Sequence, residues 1–189
     1  MKFKEGVRVL IAIQRKKENK EVCWKDRHVK TLFSKSEEEF DEKFEKLDKF
    51  CDTQDGSFRI YSSVNSRNLK KSVRKFKSDQ LDVDYADETS FENFYFNIKS
   101  KFISCLMRPE NRNETIFKFD VDTKDNKINS EIESLLLKNT ELITRRETKN
   151  GFHYFSKPFN YTVLNQSLVY CENVDFSKDG LVLLKYKNE

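Results

Sequence analysis

Residues 7–13, Val-Arg-Val-Leu-Ile-Ala-Ile, form a nearly unbroken β-branched and apolar run. That is the pattern of a strand covered on both faces. A solvated turn at 16–20 follows, then a returning hairpin strand at 21–24 and a short ambiguous element at 28–33. Ser36 with Glu39 makes a capping box, and Phe40, Phe44, Leu47 and Cys51 then fall on one helical face. Residues 58–64 read as a strand. Asn65 or Ser66 is placed to cap the next helix, whose stripe is Leu69, Val73, Phe76 and Leu81. The acidic stretch 79–88 reads as a loop. Phe91, Phe94, Tyr95, Ile98, Phe102 and Leu106 suit one long amphipathic helix.

The second half of the chain is richer in strand patterns. Residues 116–122 read as a strand, followed by a helix starting at Asn129-Ser130 and a strand at 142–148. Asn150-Gly151 signals a two-residue hairpin into a strand at 152–158. Residues 168–176 and 181–186 pair as a final hairpin across Lys178-Asp179-Gly180. Strands and helices are mixed without repeat or linker. We therefore expect one compact α+β domain, 1–189, divisible into an α/β part (1–110) and a β-rich part (111–189). Its mixed or antiparallel sheets would be flanked by helices.

Composition narrows the class. The chain has 189 residues, 37% hydrophobic and 36% charged, which suits a core-forming globular protein rather than a disordered one. Seventeen Phe make aromatic rings the main core material. A net charge of +4 permits nucleic-acid binding without requiring it, so the placement of charge decides. The densest basic segment is 67–77, where Arg67, Lys70, Lys71, Arg74, Lys75 and Lys77 would lie opposite the helix's apolar stripe as a phosphate-binding face. Most such runs are simply solvated faces. The four cysteines, Cys23, Cys51, Cys105 and Cys171, have no knuckle spacing, which argues against structural zinc. Neither a signal peptide nor a bilayer-length apolar run is found, so the expectation is an intracellular protein with reduced thiols and no membrane partner.

The chemistry is carried by strand 116–122. Asp120 and Asp122 are two apart and would project from the same face. Paired carboxylates repel unless a cation lies between them, and Mg²⁺ or Mn²⁺ is the usual one. A strand merely ending in an Asp-rich turn would show the same letters, so the pair needs company. His153 and Lys157 share a face of the 152–158 strand. Asp175, or alternatively Asp179, supplies a later acid. Of Arg145 and Arg146 only one can face the same side, and Arg145 is the one assigned to the nucleotide. Carboxylates, a histidine and cationic side chains together match metal-assisted phosphoryl or nucleotidyl transfer.

The order Phe119-Asp120-Val121-Asp122, Gly151-Phe152-His153, Val174-Asp175 resembles the three motifs of the archaeo-eukaryotic primase superfamily, which includes primase–polymerases. The resemblance spans mainly 115–185. It implies a primase-like catalytic core with an RNA-recognition-like C-terminal module. Asp120, Asp122 and Asp175 would be the catalytic metal ligands, with His153, helped by Lys157, on the incoming nucleotide's phosphates. The implied activity is nucleotidyl transfer that makes or extends primers on a nucleic-acid template, using nucleoside triphosphates and Mg²⁺ or Mn²⁺. Gly151 stands where Ser is common, and zinc-binding insertions are absent. The resemblance is therefore to a minimal core of the kind a virus or mobile element encodes. A metal-dependent nuclease or phosphotransferase would use the same carboxylates. A non-catalytic nucleic-acid- or protein-binding relative would keep the fold without the chemistry.

Overall fold

The computed structural model describes residues 6–20 and 26–187. In chain order the strands are β1 (Arg8–Gln14), β2 (Arg27–Ser34), β3 (Phe58–Ser63), β4 (Phe117–Val121), β5 (Leu142–Glu147), β6 (Phe152–Ser156), β7 (Val174–Ser177) and β8 (Leu181–Lys187). The helices are α1 (Glu37–Asp52), α2 (Leu69–Asp84), α3 (Glu88–Phe96), α4 (Ile98–Leu106), α5 (Asn126–Asn139) and α6 (Leu168–Asn173). The fold is α+β, with two antiparallel four-stranded sheets ordered β2-β1-β3-β8 and β5-β6-β4-β7. Each sheet belongs to its own compact unit. One unit comprises residues 115–180; the other comprises the residues before 115 together with those after 180. Among the described residues no helix is long and apolar enough to cross a membrane.

In the larger unit β1 is buried along its whole length. Leu10 and Ala12 pack with Phe58, Ile60, Leu47 and Cys51, the last two from α1. Val9, Ile11 and Ile13 face the other way, against Leu106 of α4. This is the two-faced burial that the continuous apolar run requires. Residues 28–33 resolve as β2, paired antiparallel with β1. The expected strand at 21–24 lies outside the described residues.

Ser36 caps α1 by accepting the Glu39 N–H at 3.2 Å. The Glu39 carboxylate reaches back to the Lys35 N–H at 2.6 Å, one residue before the cap.

Helix α2 departs from expectation at both ends. Its cap is Asn68, whose side chain accepts the Lys71 N–H, and not Asn65 or Ser66, which lie buried in the segment before it. The helix also continues through the acidic residues to Asp84. Leu69 and Leu81 are exposed, so the expected stripe is only partly buried. Phe76 does the packing, stacked on Phe94 at 5.5 Å and edge-on to Phe102 at 5.4 Å. The long helix expected over 91–106 is two, α3 and α4, broken at Asn97, which caps the end of the first.

The 115–180 unit runs β-α-β-β-α-β. Phe117, Phe119, Val121 and Tyr154 of the sheet bury against Ile132 and Leu136 of α5, Leu164 of a short 3₁₀ turn and Tyr170 of α6. Helix α5 starts at Asn126 rather than Asn129, because Asp125 accepts the Lys127 and Ile128 N–H groups. Residues 168–173 are the short helix α6, so only 174–177 form the strand. The expected final hairpin is absent. β7 pairs with β4, whereas β8 pairs with β3 over residues 58–63. Two long-range ladders outcompete the local turn signal at 178–180.

Candidate active site

Strand register builds the site. Asp120 of β4 lies directly opposite His153 of β6 on one side and Asp175 of β7 on the other. His153 in turn lies opposite Arg146 of β5. Directly opposed residues on antiparallel strands point to the same face, so Arg146, His153, Asp120 and Asp175 form one row across the sheet. The other face carries Phe119, Val121 and Tyr154 into the core.

His153 is buried, and its Nε2 lies 3.0 Å from Asp120 Oδ1. The second Asp120 oxygen meets Lys118 Nζ at 3.3 Å. Burial pushes the Asp120 carboxyl up, but the hydrogen bond and charge of His153, joined by Lys118, outweigh it and hold the group below the usual carboxylate range. His153 Nδ1 is buried without a hydrogen-bond partner among the described residues. A buried orphan nitrogen of this kind is costly to leave unpaired.

Past the end of β4, Asp122 is exposed and its N–H reaches Asn173 O at 3.4 Å. Asp122, Asp175 and Glu172 line a cleft of about 170 Å³ with Asn173 and Val174. Glu172 is the acid that sequence reasoning missed. Its position just before the Val174-Asp175 pair gave no periodic signal. Lys118 was missed too, although it sits two residues before Asp120 on the same strand face. Asp179, the alternative third acid, caps its own turn by accepting the Gly180 N–H at 2.9 Å. The residue opposite Asp120 is Asp175.

Gly151 explains the small residue of the Gly-x-His motif. A Cβ at this position would fall 1.8 Å from Val121 O and 2.7 Å from Thr123 N. The start of β6 is thus pressed against the backbone on both sides of Asp122, and only glycine allows it. The turn holding it spans 148–151, with Thr148 N–H donating to Gly151 O at 2.8 Å, and is longer than the two-residue hairpin expected.

Three expected site residues lie elsewhere. Arg145 does not join the row: its neighbour Arg146 takes that position. The Arg145 guanidinium instead covers the Phe152 ring at 3.8 Å and pairs with Glu133 at 3.3 Å. Alternation along β5 allows only one of the two arginines on each face. Lys157 falls after the end of β6 and pairs with Glu141 at 2.6 Å. Arg67 is fully buried and cannot belong to an exposed phosphate-binding face. Its backbone pairs with Val7, and its guanidinium reaches Met107 O at 3.3 Å. Lys70, Lys71, Arg74 and Lys75 are exposed on α2 as expected, with Lys75 paired to Asp79 at 2.8 Å.

The oxygens of Asp122, Asp175 and Glu172 are hard donors of the kind Mg²⁺ and Mn²⁺ accept. The three residues line one cleft. Among the described residues, however, no group of three or more His, Cys, Asp and Glu stands ready to hold a metal, and Asp120 faces His153 and Lys118.

No family model, no curated protein and no solved structure matches this chain.

Proposed function

We propose that residues 115–180 are a primase-type nucleotidyl-transfer core, built on an RNA-recognition-like module and working inside cells on a nucleic-acid template. The observation that carries the reading is the register placing Asp120 between His153 and Asp175 on three neighbouring strands. The β-α-β-β-α-β order with its two outer strands flanking an antiparallel pair adds support, because it is the split arrangement such modules use. Asp122 and Asp175, with Asp120 beside them, would hold Mg²⁺ or Mn²⁺, whose chemistry is to stabilise attacking and leaving oxygens of phosphoryl groups. The chain's own part is positioning. His153 and Arg146 offer donors along the row to triphosphate oxygens. Lys118 and His153 keep the Asp120 carboxyl ionised. The exposed cations Lys70, Lys71, Arg74 and Lys75 on α2 would contact template phosphates.

The test is incubation of an unprimed and a primed template with nucleoside triphosphates and Mn²⁺. New or extended strands from the wild type, abolished in Asp120→Ala and in Asp122→Ala, are expected. Shortened template without any triphosphate requirement would replace the reading with a nuclease. A second reading, a non-catalytic nucleic-acid-binding relative, is favoured by one feature: both oxygens of Asp120 are already engaged by His153 and Lys118. It predicts template binding that is indifferent to alanine at Asp120 and Asp122, with no product.

A further inference from the structure

A cleft in the larger unit shares no lining residue with the carboxylate row. It has a volume of about 760 Å³ and is lined by Gly6, Val7, Lys35, Asn68, Leu69, Lys70 and Asn113. That volume is nucleotide-sized rather than ion-sized. Two of its lining side chains, Lys35 and Lys70, are exposed lysines that make no ion pair among the described residues. They come from separate elements: Lys35 from the turn between β2 and α1, Lys70 from the first turn of α2. No carboxylate is among the described lining residues. Two ammonium groups without an ion-pair partner among the described residues, placed around one concavity, add positive potential inside it.

The uncharged lining is equally selective. Leu69 gives the cleft an apolar side and is 40% exposed although it begins a helix. Asn68 spends its oxygen on the Lys71 N–H at 2.9 Å, which closes the start of α2 and leaves the amide nitrogen as a donor. Asn113 is held by its N–H to Ser66 O at 3.0 Å. It comes so near Gly6 that a Cβ there would fall 2.2 Å from its side-chain nitrogen. Gly6 has φ +138°, a backbone other residues avoid. Thus a conformation only glycine tolerates brings Gly6 and the Asn113 amide together at the rim.

We propose that this cleft is a phosphate-binding nucleotide site, with Lys35 and Lys70 neutralising the phosphoryl group, Asn68 donating to it or to the base, and Leu69 supporting the sugar and base. It goes beyond the nucleotidyl-transfer reading and does not depend on it. The phosphoryl group can come from a free mononucleotide or from one nucleotide of a strand whose other phosphates lie along Lys71 and Arg74.

The test is binding of adenosine 5′-monophosphate, inorganic phosphate and a single-stranded oligonucleotide to the full chain in EDTA, which silences any metal-dependent binding at Asp122 and Asp175. The mononucleotide binds the wild type and is displaced by inorganic phosphate. Lys35→Glu and Lys70→Glu each weaken it about tenfold or more, the scale of losing one charge-assisted hydrogen bond. Leu69→Trp, which fills the cleft without altering charge at an exposed position, weakens it comparably. Asp120→Ala/Asp122→Ala binds as the wild type does, so failure of one site is distinguishable from failure of the other. Tight oligonucleotide binding with weak mononucleotide binding assigns the site to a strand; the reverse assigns it to a free nucleotide. Absence of metal-independent binding overturns the proposal. So does a loss of mononucleotide binding in Lys71→Glu, which does not line the cleft, as large as that in Lys70→Glu, because that would reveal only a diffuse positive field.

Discussion

Replacing Gly151 with alanine is the sharpest structural perturbation this fold offers. The new methyl group would meet Val121 O at 1.8 Å, Val121 C at 2.9 Å and Thr123 N at 2.7 Å. All three are backbone atoms of the neighbouring segment, so no side chain can swing aside. Relief requires β6 and the end of β4 to separate by about 1.5 Å before ordinary contact is restored. The separation falls at the Val121–Phe152 pair, the last rung of that ladder. Overpacking costs about 1–3 kcal/mol, and a weakened ladder hydrogen bond adds about 1 kcal/mol. The sum, about 2–4 kcal/mol, corresponds to a fall in Tm of about 5–15 °C for a chain of this size. Thermal unfolding followed by circular dichroism, checked by urea titration, reads it directly. Gly151→Ser should cost at least as much. An alanine variant melting within about 1 °C of wild type would refute the argument that close approach fixes glycine here, and with it the placement of β6 against Asp122.

Other consequences are independent of that contact. The Asp120 carboxyl is held below its usual range in the folded state, so its contribution to stability is present above the ordinary carboxylate pKa of about 3.9 and is lost as pH falls through the lower folded value. Urea unfolding between pH 6 and 2 should therefore show a shallower acid loss in Asp120→Asn than in wild type; equal slopes would contradict the His153 and Lys118 pairing. Burial pushes the Cys51 thiol up to about 11, so it should resist iodoacetamide at pH 8 until the protein unfolds. Mass spectrometry showing alkylation at the rate of a free thiol would contradict its place on the buried face of α1. The two arginines of β5 should separate cleanly. Arg146→Ala weakens triphosphate binding about tenfold by removing a row donor. Arg145→Ala leaves that binding unchanged and costs about 0.5–1 kcal/mol through its contact with Phe152. Equal effects in the binding and melting assays would undo the face assignment.

What could be read from the sequence was local and periodic. The unbroken apolar run of β1, the capping box of α1 and the alternation of Arg145 with Arg146 all follow from side-chain direction within one element. The misjudged features depend on distant partners. The turn at 178–180 favours a hairpin, but the free edges of β4 and β3 gain more by capturing β7 and β8 separately. Arg67 belongs by composition to a basic face, yet bridges from its backbone to Val7 and Arg112 pull it inside. Between Arg145 and Arg146, alternation alone leaves the choice open, and only the register with His153 decides it. The acidic end of α2 looks like a loop because Asp is a weak helix former, but Tyr95 accepts from Gln80 and donates to Asp84, tying the last turn to α3.

In the proposed reading the row on β4, β6 and β7 receives a nucleotide together with a divalent cation. The most direct measurement is equilibrium binding of a labelled nucleoside triphosphate with Mn²⁺ and with EDTA, on wild type and on Asp120→Ala/Asp122→Ala, with Lys35→Glu as background to remove the second cleft. The account predicts Mn²⁺-dependent binding that survives in Lys35→Glu and disappears when the two aspartates are also replaced, with the fold retained by circular dichroism. Binding that is the same with and without Mn²⁺, or unchanged by loss of both carboxylates, would contradict it.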